Sequence, residues 1–251
     1  EHLAKRGIAC PVPVRARDGA ILHELSNRPA AIVTFLEGMW PRRIKPYHCD
    51  ELGRALARMH LAGDDFALRR PNDLSVKSWR TLLSRSADRA DEVQRGLAED
   101  LETELADLEL NWPDNLPSGV IHADLFPDNV FFRGPELTGL IDFYFACTDM
   151  FAYDIAICIN AWCFEINGSF NFTKAKRLLM AYRVVRDFSD HELAALPLLA
   201  RGAAMRFLLT RLYDWLYTPA DALVIKKDPL EYLEKLRFHQ QAIGPQDYGL
   251  I

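Results

Sequence analysis

The chain has 251 residues, of which 49% are apolar and 26% charged, and its formal net charge is −5 at pH 7. These values are typical of a globular protein with a sizeable core, and they exclude a basic surface for nucleic acid. No stretch of about eighteen uncharged apolar residues is present, so the sequence predicts no membrane-spanning helix.

The cysteines indicate a reducing compartment. There are five, an odd number with irregular spacing, and they form neither a disulfide framework nor a zinc-binding pattern. Reduced thiols packed in the core of a cytoplasmic protein are the simpler interpretation.

The N-terminal part has the pattern of β structure. The opening EHLAKRG resembles the end of a helix closed by Gly7, which leads us to expect further residues upstream. Residues 11–36 follow as extended segments, with turns expected at Asp18–Gly19 and at Asn27–Arg28–Pro29. The apolar run AAIVTFLEG ends at Gly38.

The remainder is mostly helical in pattern, with a β-rich interruption. Apolar spacing predicts helices over 50–62, with Asp50 as N-cap, and over 74–83 and 89–110. Residues 119–145 have the pattern of short strands and turns. Helical periodicity then returns over 151–164, 173–185, 191–216 and 229–242.

The segment GVIHADLFPDNVFF, residues 119–132, places polar side chains between two apolar strands. It contains His122, Asp124 and Asn129, and Asp142 follows one hairpin later. A tight loop can bring these oxygen atoms to one point, where like charges repel unless a divalent cation lies between them. Hard oxygen ligands in a partly hydrated site favour Mg²⁺. An isolated His-x-Asp pair is more often structural, so the prediction depends on the whole pattern.

This pattern resembles the protein-kinase catalytic loop, H-R-D-x-x-x-x-N, followed by the metal-binding Asp of D-F-G. Ala123 after the His resembles the aminoglycoside phosphotransferase and choline kinase branch. The segments LGRALARMHLAG, HADLFPDNVFF, GLIDFYFAC and YDIAICINAWCFE look like those of bacterial homoserine kinases, and the resemblance covers nearly the whole chain.

The resemblance implies an α+β, protein kinase-like bilobal fold. Residues 1–38 would be the remainder of the N-terminal nucleotide-binding β lobe and the hinge, and 39–251 the helical catalytic and substrate-binding lobe. The backbone of Phe35, Leu36 and Glu37 would meet the adenine. The nucleotide-covering loop and the strand lysine are absent from these residues, and Lys5 does not replace that lysine. We therefore expect them upstream, and expect the chain to be inactive without them.

The implied reaction is phosphoryl transfer from ATP to the side-chain hydroxyl of L-homoserine, a step of threonine biosynthesis in the cytoplasm. Asp124 would accept the hydroxyl proton late in the reaction, and Asn129 and Asp142 would hold Mg²⁺. His122 would support the loop by hydrogen bonds. N-capping accounts for Asp154, but in the family this residue supports the catalytic loop, which is the role we favour.

A zwitterionic substrate needs partners for both of its charges. Arg206 and Arg211, on an apolar helix, are the candidates for binding the carboxylate. The alternative is that they pair with Asp154 or Asp214, or extend to solvent. The candidates for the ammonium group are Asp149, Trp162 and Glu165, although Trp162 fits the core equally well.

Three other functions are compatible with the pattern. The first is a kinase of the same architecture that acts on an aminoglycoside, choline or a sugar. The second is a metal-dependent hydrolase using His122, Asp124 and Asp142, although such a site normally recruits further His ligands. The third is a catalytically silent binding module.

Overall fold

The computed structural model describes residues 1–219 and 221–250. The elements in chain order are α1 (His2–Lys5), β1 (His23–Leu25), β2 (Arg28–Ala30), α2 (Pro46–Ala62), α3 (Val76–Ser84), α4 (Leu97–Asn111), β3 (Ser118–Ile121), β4 (Val130–Arg133), β5 (Glu136–Leu140), β6 (Cys147–Met150), α5 (Phe151–Trp162), α6 (Phe172–Val185), α7 (Asp190–Tyr217) and α8 (Leu230–Gln241). Short 3₁₀ turns connect several of them.

The N-terminal segment is largely extended but has little regular pairing. β1 and β2 form an antiparallel hairpin, and Pro13 and Val33 form an isolated bridge. The second predicted turn is displaced: Ser26 and Asn27 adopt positive φ angles of 51° and 59°, and Arg28 already belongs to β2. Two consecutive left-handed residues form the turn whose twist suits a two-residue hairpin.

Two of the predicted helices begin elsewhere. α2 starts at Pro46, and its N-terminus is closed by the Lys45 N–H, which donates to His48 Nδ1. Asp50 is therefore not a cap. Its carboxylate instead accepts from Arg177 Nε at 2.7 Å, which ties α2 to α6.

The helix predicted over 89–110 is interrupted. A 3₁₀ turn over Ala90–Glu92 is followed by Gly96 at φ 81°, and α4 begins only at Leu97. The Asp91 carboxylate accepts from the N–H groups of Gly96 and Ala98, which stabilises the new helix start. A left-handed residue cannot continue a right-handed helix.

Short antiparallel pairs carry the polar segment. β3 pairs with β6, and β4 pairs with β5. The connection from β3 to β4 contains His122 to Asn129, and the connection from β5 to β6 contains Asp142. These two loops therefore leave their pairs next to each other, as the sequence predicted for the region.

Helix α7 is the centre of the helical part. It packs against α5 and α8, and also against α3 and α4. Its length and composition would suit a membrane span, contrary to the expectation from the sequence, but 67% of its most apolar window is buried within the fold. An apolar helix that is covered by neighbouring helices is a core helix.

Close packing around α7 requires a small residue at Gly202. A Cβ at this position would clash with the Trp112 ring and would lie 2.7 Å from Cη2 of Trp79. The two indoles meet edge to face, with 5.0 Å between centroids.

We predict that Gly202→Ala lowers the free energy of unfolding by about 1–3 kcal/mol, because overpacking outweighs the better helix propensity of Ala. Urea unfolding measures the change. Ala194→Gly, at an exposed position of α7, is the matched control for propensity alone. A stabilised Gly202→Ala variant would contradict the packing described here.

Candidate active site

The loop after β3 is held by a buried carboxylate on α5. Asp154 is fully buried, and its two oxygens accept from the N–H of His122 at 2.8 Å and the N–H of Ala123 at 2.9 Å. His60 Nε2 lies 3.1 Å from the same carboxylate. Since α5 begins at Phe151, with Met150 as its cap residue, the N-capping interpretation of Asp154 is wrong.

Burial favours the neutral form of Asp154, but the hydrogen bond from His60 and the N–H donors outweigh it and lower the pKa of the carboxyl below its ordinary value. Burial likewise lowers the pKa of His60, although Asp154 opposes the change. A neutral imidazole that donates through Nε2 to an ionised carboxylate is consistent with both directions.

Ala123 is held on both sides. It has a φ of 62°, in the left-handed region that non-glycine residues rarely adopt. Its N–H donates to Asp154, and its carbonyl accepts from Arg206 Nη1. Arg206 is 2% exposed, and its guanidinium lies 4.3 Å from the centroid of the Phe207 ring. These contacts fix the backbone immediately before Asp124.

Trp162, on α5, packs against the same loop. It is fully buried, and its Nε1 donates to the carbonyl of Leu125 at 2.8 Å. The prediction that Trp162 contacts the substrate is therefore wrong, because the indole lies beneath the loop with its one polar atom already bonded to the backbone.

Asp124, Asn129 and Asp142 are brought together by backbone contacts around Ile141. The Ile141 N–H donates to the carbonyl of Asn129 at 3.0 Å, and its carbonyl accepts from His122 Nε2 at 2.9 Å. Asn129 Nδ2 donates to the carbonyl of Asp124 at 2.8 Å. Asp142 follows at φ 61°.

The side chains of Asp124, Asn129 and Asp142 line one cavity of about 380 Å³. Burial raises the pKa of the Asp124 carboxyl above its ordinary value, and the neighbouring Asp142 and Asp128 carboxylates add to the shift. Arg206 and His122 act in the opposite direction. Like charges on the same wall make the site attractive to a cation.

The cavity contains charged groups of both signs. Its carboxylates are Asp124, Asp128, Asp142 and Asp214, and its cationic side chains are Arg206, Arg211, Lys226 and Lys227. Thr210, Lys226 and Lys227 were not identified from the sequence, and Asp214 was considered only as a possible ion-pair partner of Arg206 and Arg211. The spacing of Arg206, Thr210 and Asp214, four residues apart along α7, is the signal that could have indicated a shared face.

The other predicted ammonium partners lie elsewhere. Asp149 lines a separate cavity and accepts from Asn72 Nδ2 at 2.7 Å. Glu165 forms an ion pair with Lys174 at 2.7 Å. Both carboxylates therefore have other partners, and the prediction that Asp149 binds the substrate does not match its position.

The predicted hinge lies beside the β4–β5 hairpin. The carbonyl of Glu37 accepts from Thr138 Oγ1 at 2.7 Å, and the Leu36 side chain packs over Gly139. The Phe35 side chain is 87% exposed. None of the three is a wall residue of the cavity that contains Asp124. Their contact with adenine stays a prediction.

Within the described residues, no group of three or more His, Cys, Asp or Glu side chains is placed to share one metal ion. The hydrolase alternative, with His122, Asp124 and Asp142 as ligands, lacks such a cluster. His122 is instead bonded to the backbone of Ile141.

Residues 1–188 match the model of the phosphotransferase enzyme family. A homoserine kinase of Sinorhizobium fredii is 64% identical over 249 residues, which are 99% of this chain and 76% of that protein. A homoserine kinase of Rhodospirillum rubrum is 63% identical, over 99% of this chain and 78% of that protein. The chain thus spans about three quarters of the length of these curated relatives.

Solved structures share the fold at low sequence identity. An amicoumacin kinase in complex with AMP-PNP and Ca²⁺ aligns with a TM-score of 0.68 and 16% identity, over 99% of this chain and 77% of that chain. A choline/ethanolamine kinase family protein of Mesorhizobium loti aligns at 0.66 and 14% identity, over 98% and 79%. These neighbours confirm the predicted α+β, kinase-like fold. By its family match and its relatives, the chain belongs to the phosphotransferase enzyme family and, within it, to the homoserine kinases.

Proposed function

We propose that the protein transfers the γ-phosphoryl group of ATP to the side-chain hydroxyl of L-homoserine, giving O-phosphohomoserine and ADP. The observation that carries the proposal is the cavity in which Asp124 lies with Asn129, Asp142 and charged groups of both signs. Membership of the homoserine kinases supports this choice of substrate.

In this proposal, Asp124 orients the hydroxyl and accepts its proton. An alcohol is far less acidic than a carboxylic acid, so the proton cannot leave before bond formation begins. In a loose transition state the nucleophile stays nearly neutral until late, and the proton then passes to the Asp124 carboxylate as the new O–P bond forms. Burial raises the pKa of Asp124, which makes it a better late acceptor.

Asn129 and Asp142 would hold Mg²⁺. Asn129 uses Nδ2 to bond to the carbonyl of Asp124, which leaves its Oδ1 as an oxygen ligand. Together with the exposed Asp142 carboxylate, this is the small oxygen donor set that Mg²⁺ shares with substrate phosphates. When bound, the ion would neutralise phosphate charge.

Arg206 and Arg211 have different positions and different proposed tasks. Arg206 is buried against the loop, and its charge acts on Asp124. Arg211 lies further along α7 in the same cavity, and we assign it to the substrate carboxylate. The backbone of Phe35 to Glu37 remains the proposed adenine contact, and 38/39 the proposed boundary between the lobes.

The mixed charge of the cavity distinguishes homoserine from an aminoglycoside. Its cationic side chains equal its carboxylates in number, since it contains four of each. A polycation needs a cleft with an excess of carboxylates, which these residues do not provide, whereas a zwitterion can use both signs. Five reduced, buried cysteines also suit the proposed cytoplasmic location.

The proposal is tested on the full-length gene product by following ADP release with ATP, Mg²⁺ and a panel of L-homoserine, choline, an aminoglycoside and a sugar. We expect L-homoserine to give the highest kcat/KM. A higher kcat/KM for another alcohol would show that L-homoserine is not the preferred substrate. Absence of turnover with all of the alcohols would favour a catalytically silent binding module.

We predict that Asp124→Ala lowers kcat by about 10²–10⁴-fold, since it removes the proton acceptor. Circular dichroism should show an unchanged fold. Asp114→Ala, an exposed carboxylate before β3, is the control and should retain activity. Near-normal turnover of Asp124→Ala would exclude the proposed base.

We predict that Asp142→Asn raises the Mg²⁺ concentration for half-maximal rate by about tenfold or more, as loss of metal-site partners typically does. A titration of rate against Mg²⁺ at saturating ATP measures it. Asp128→Asn removes the same charge from the same cavity and should change the titration less. Equal titrations for Asp142→Asn and the wild type would remove Asp142 from the ligand set.

We predict that Asp154→Asn lowers the free energy of unfolding by about 1–3 kcal/mol, because an amide cannot accept all the hydrogen bonds that the carboxylate accepts. The loop should loosen as well, so kcat should fall while the KM values change little. Asp50→Asn, a carboxylate bonded to Arg177 away from the loop, should cost stability without lowering kcat. An unchanged kcat in Asp154→Asn would limit Asp154 to a purely structural role.

A further inference from the structure

The part of the cavity wall formed by α7 includes a cationic and an anionic side chain that are neighbours on the helix surface. Arg211 and Asp214 are three residues apart, and both line the cavity that contains Asp124. Side chains at this spacing are neighbours on a helix surface, with about 5–6 Å between their Cβ atoms. Thr210 lies beside them on the same wall.

Arg211 is only partly engaged by its neighbours. Its Nη1 donates to Glu231 Oε2 at 2.6 Å and to the carbonyl of Asp228 at 3.3 Å, and its guanidinium lies 4.4 Å from the centroid of the Tyr232 ring. Among the described residues, these hydrogen bonds all leave from Nη1. A guanidinium has five N–H donors, so the edge formed by Nε and Nη2 is available for a carboxylate.

The Asp214 side chain has no ion-pair partner among the described residues, unlike that of Glu231. Glu231 accepts from both Arg211 and Lys235, whereas Asp214 contributes its backbone carbonyl to Thr218 N–H. Within the part of the chain that the structure describes, the Asp214 side chain forms no ion pair. It is an exposed carboxylate on the wall of a cavity, and a ligand can reach it.

We propose that Asp214 binds the ammonium group of the substrate while Arg211 binds its carboxylate, an inference that rests on the proposed function. The two charges of an α-amino acid are attached to the same carbon, so their partners must lie close together. The pair at 211 and 214 meets this condition, and Asp124 lies in the same cavity for the hydroxyl. Asp214 is therefore the specificity determinant for hydroxylated α-amino acids.

The remaining acidic and apolar wall residues are consistent with this assignment. Asp128 lines the cavity and lies one residue before Asn129, which we assign to the metal ion. Val224 and Ile225 line the cavity as well, and they provide an apolar contact for the two methylene groups of homoserine.

The test compares three alcohols in the full-length gene product. L-homoserine has both charges, 4-hydroxybutanoate lacks the ammonium group, and 3-amino-1-propanol lacks the carboxylate. The variants are Asp214→Asn, Asp128→Asn and Arg211→Gln. Glu234→Gln, a carboxylate on α8 that lies beside Gly168, is the matched control for charge removal.

For Asp214→Asn we expect kcat/KM for L-homoserine to fall by about 10- to 100-fold, the usual effect of losing a hydrogen bond to a charged group. The value for 4-hydroxybutanoate should stay within about twofold, so the preference for the amino substrate collapses. The KM for ATP should not change. Arg211→Gln should lower kcat/KM for L-homoserine, which has the carboxylate, and should leave kcat/KM for 3-amino-1-propanol, which lacks it, unchanged.

The outcomes distinguish a failure of the proposed function from a failure of the assignment of Asp214. If the wild type does not phosphorylate L-homoserine, the proposed function fails. If the wild type does so but Asp214→Asn retains its preference over 4-hydroxybutanoate, the assignment of Asp214 is wrong. If only Asp128→Asn loses the preference for L-homoserine over 4-hydroxybutanoate, Asp128 and not Asp214 binds the ammonium group.

Discussion

The geometry of the site depends on one residue held in an unfavourable conformation by two buried charges. Ala123 has a positive φ, which costs a non-glycine residue about 1–2 kcal/mol. Asp154 binds its N–H from one side, and Arg206 binds its carbonyl from the other. The hydrogen bonds of these charged groups offset the strain, and they determine the direction in which Asp124 leaves the loop.

The same constraint reaches Asp142 through Ile141. Both backbone polar groups of Ile141 are bonded to the loop between β3 and β4, one to Asn129 and one to His122. A shift of the loop would therefore move the proposed base and the proposed metal ligands together. Phosphoryl transfer is catalysed mainly by positioning and charge. A packing change that moves this loop would therefore lower the reaction rate, because it would displace the proposed base and the proposed metal ligands.

The sequence predicted the elements whose signals are local. The spacing of Asp124, Asn129 and Asp142 lies within one β-rich segment, and these side chains do share a cavity. Helical periodicity likewise gave α5 to α8 to within a few residues. The interruption at Gly96 was missed because the apolar spacing continues on either side of it, whereas the break depends on Asp91.

Long-range partners could not be predicted in the same way. Trp162 and Asp149 follow the proposed catalytic segments in sequence, but their polar atoms are bonded to Leu125 and Asn72. The spacing of Asp214 from Arg206 and Thr210 indicates a shared helix face, but it does not show that this face lines a cavity, because an exposed carboxylate on a helix usually faces solvent. Only the packing of α7 against the loop brings Asp214 into the cavity. Helix periodicity assigns a residue to a face but does not show what lies opposite.

The ionisation of Asp154 is the property on which the account depends most directly, and ¹³C NMR of its carboxyl carbon can measure it. A carboxylate whose pKa is lowered by its donors stabilises the fold above its unfolded pKa of about 4 and loses that contribution as the pH falls through the folded value. We expect Asp154 to stay ionised as the pH falls through 4, with a titration midpoint below that of an ordinary Asp. A midpoint above 4 would mean that burial dominates, and it would contradict the claim that an ionised Asp154 holds the loop.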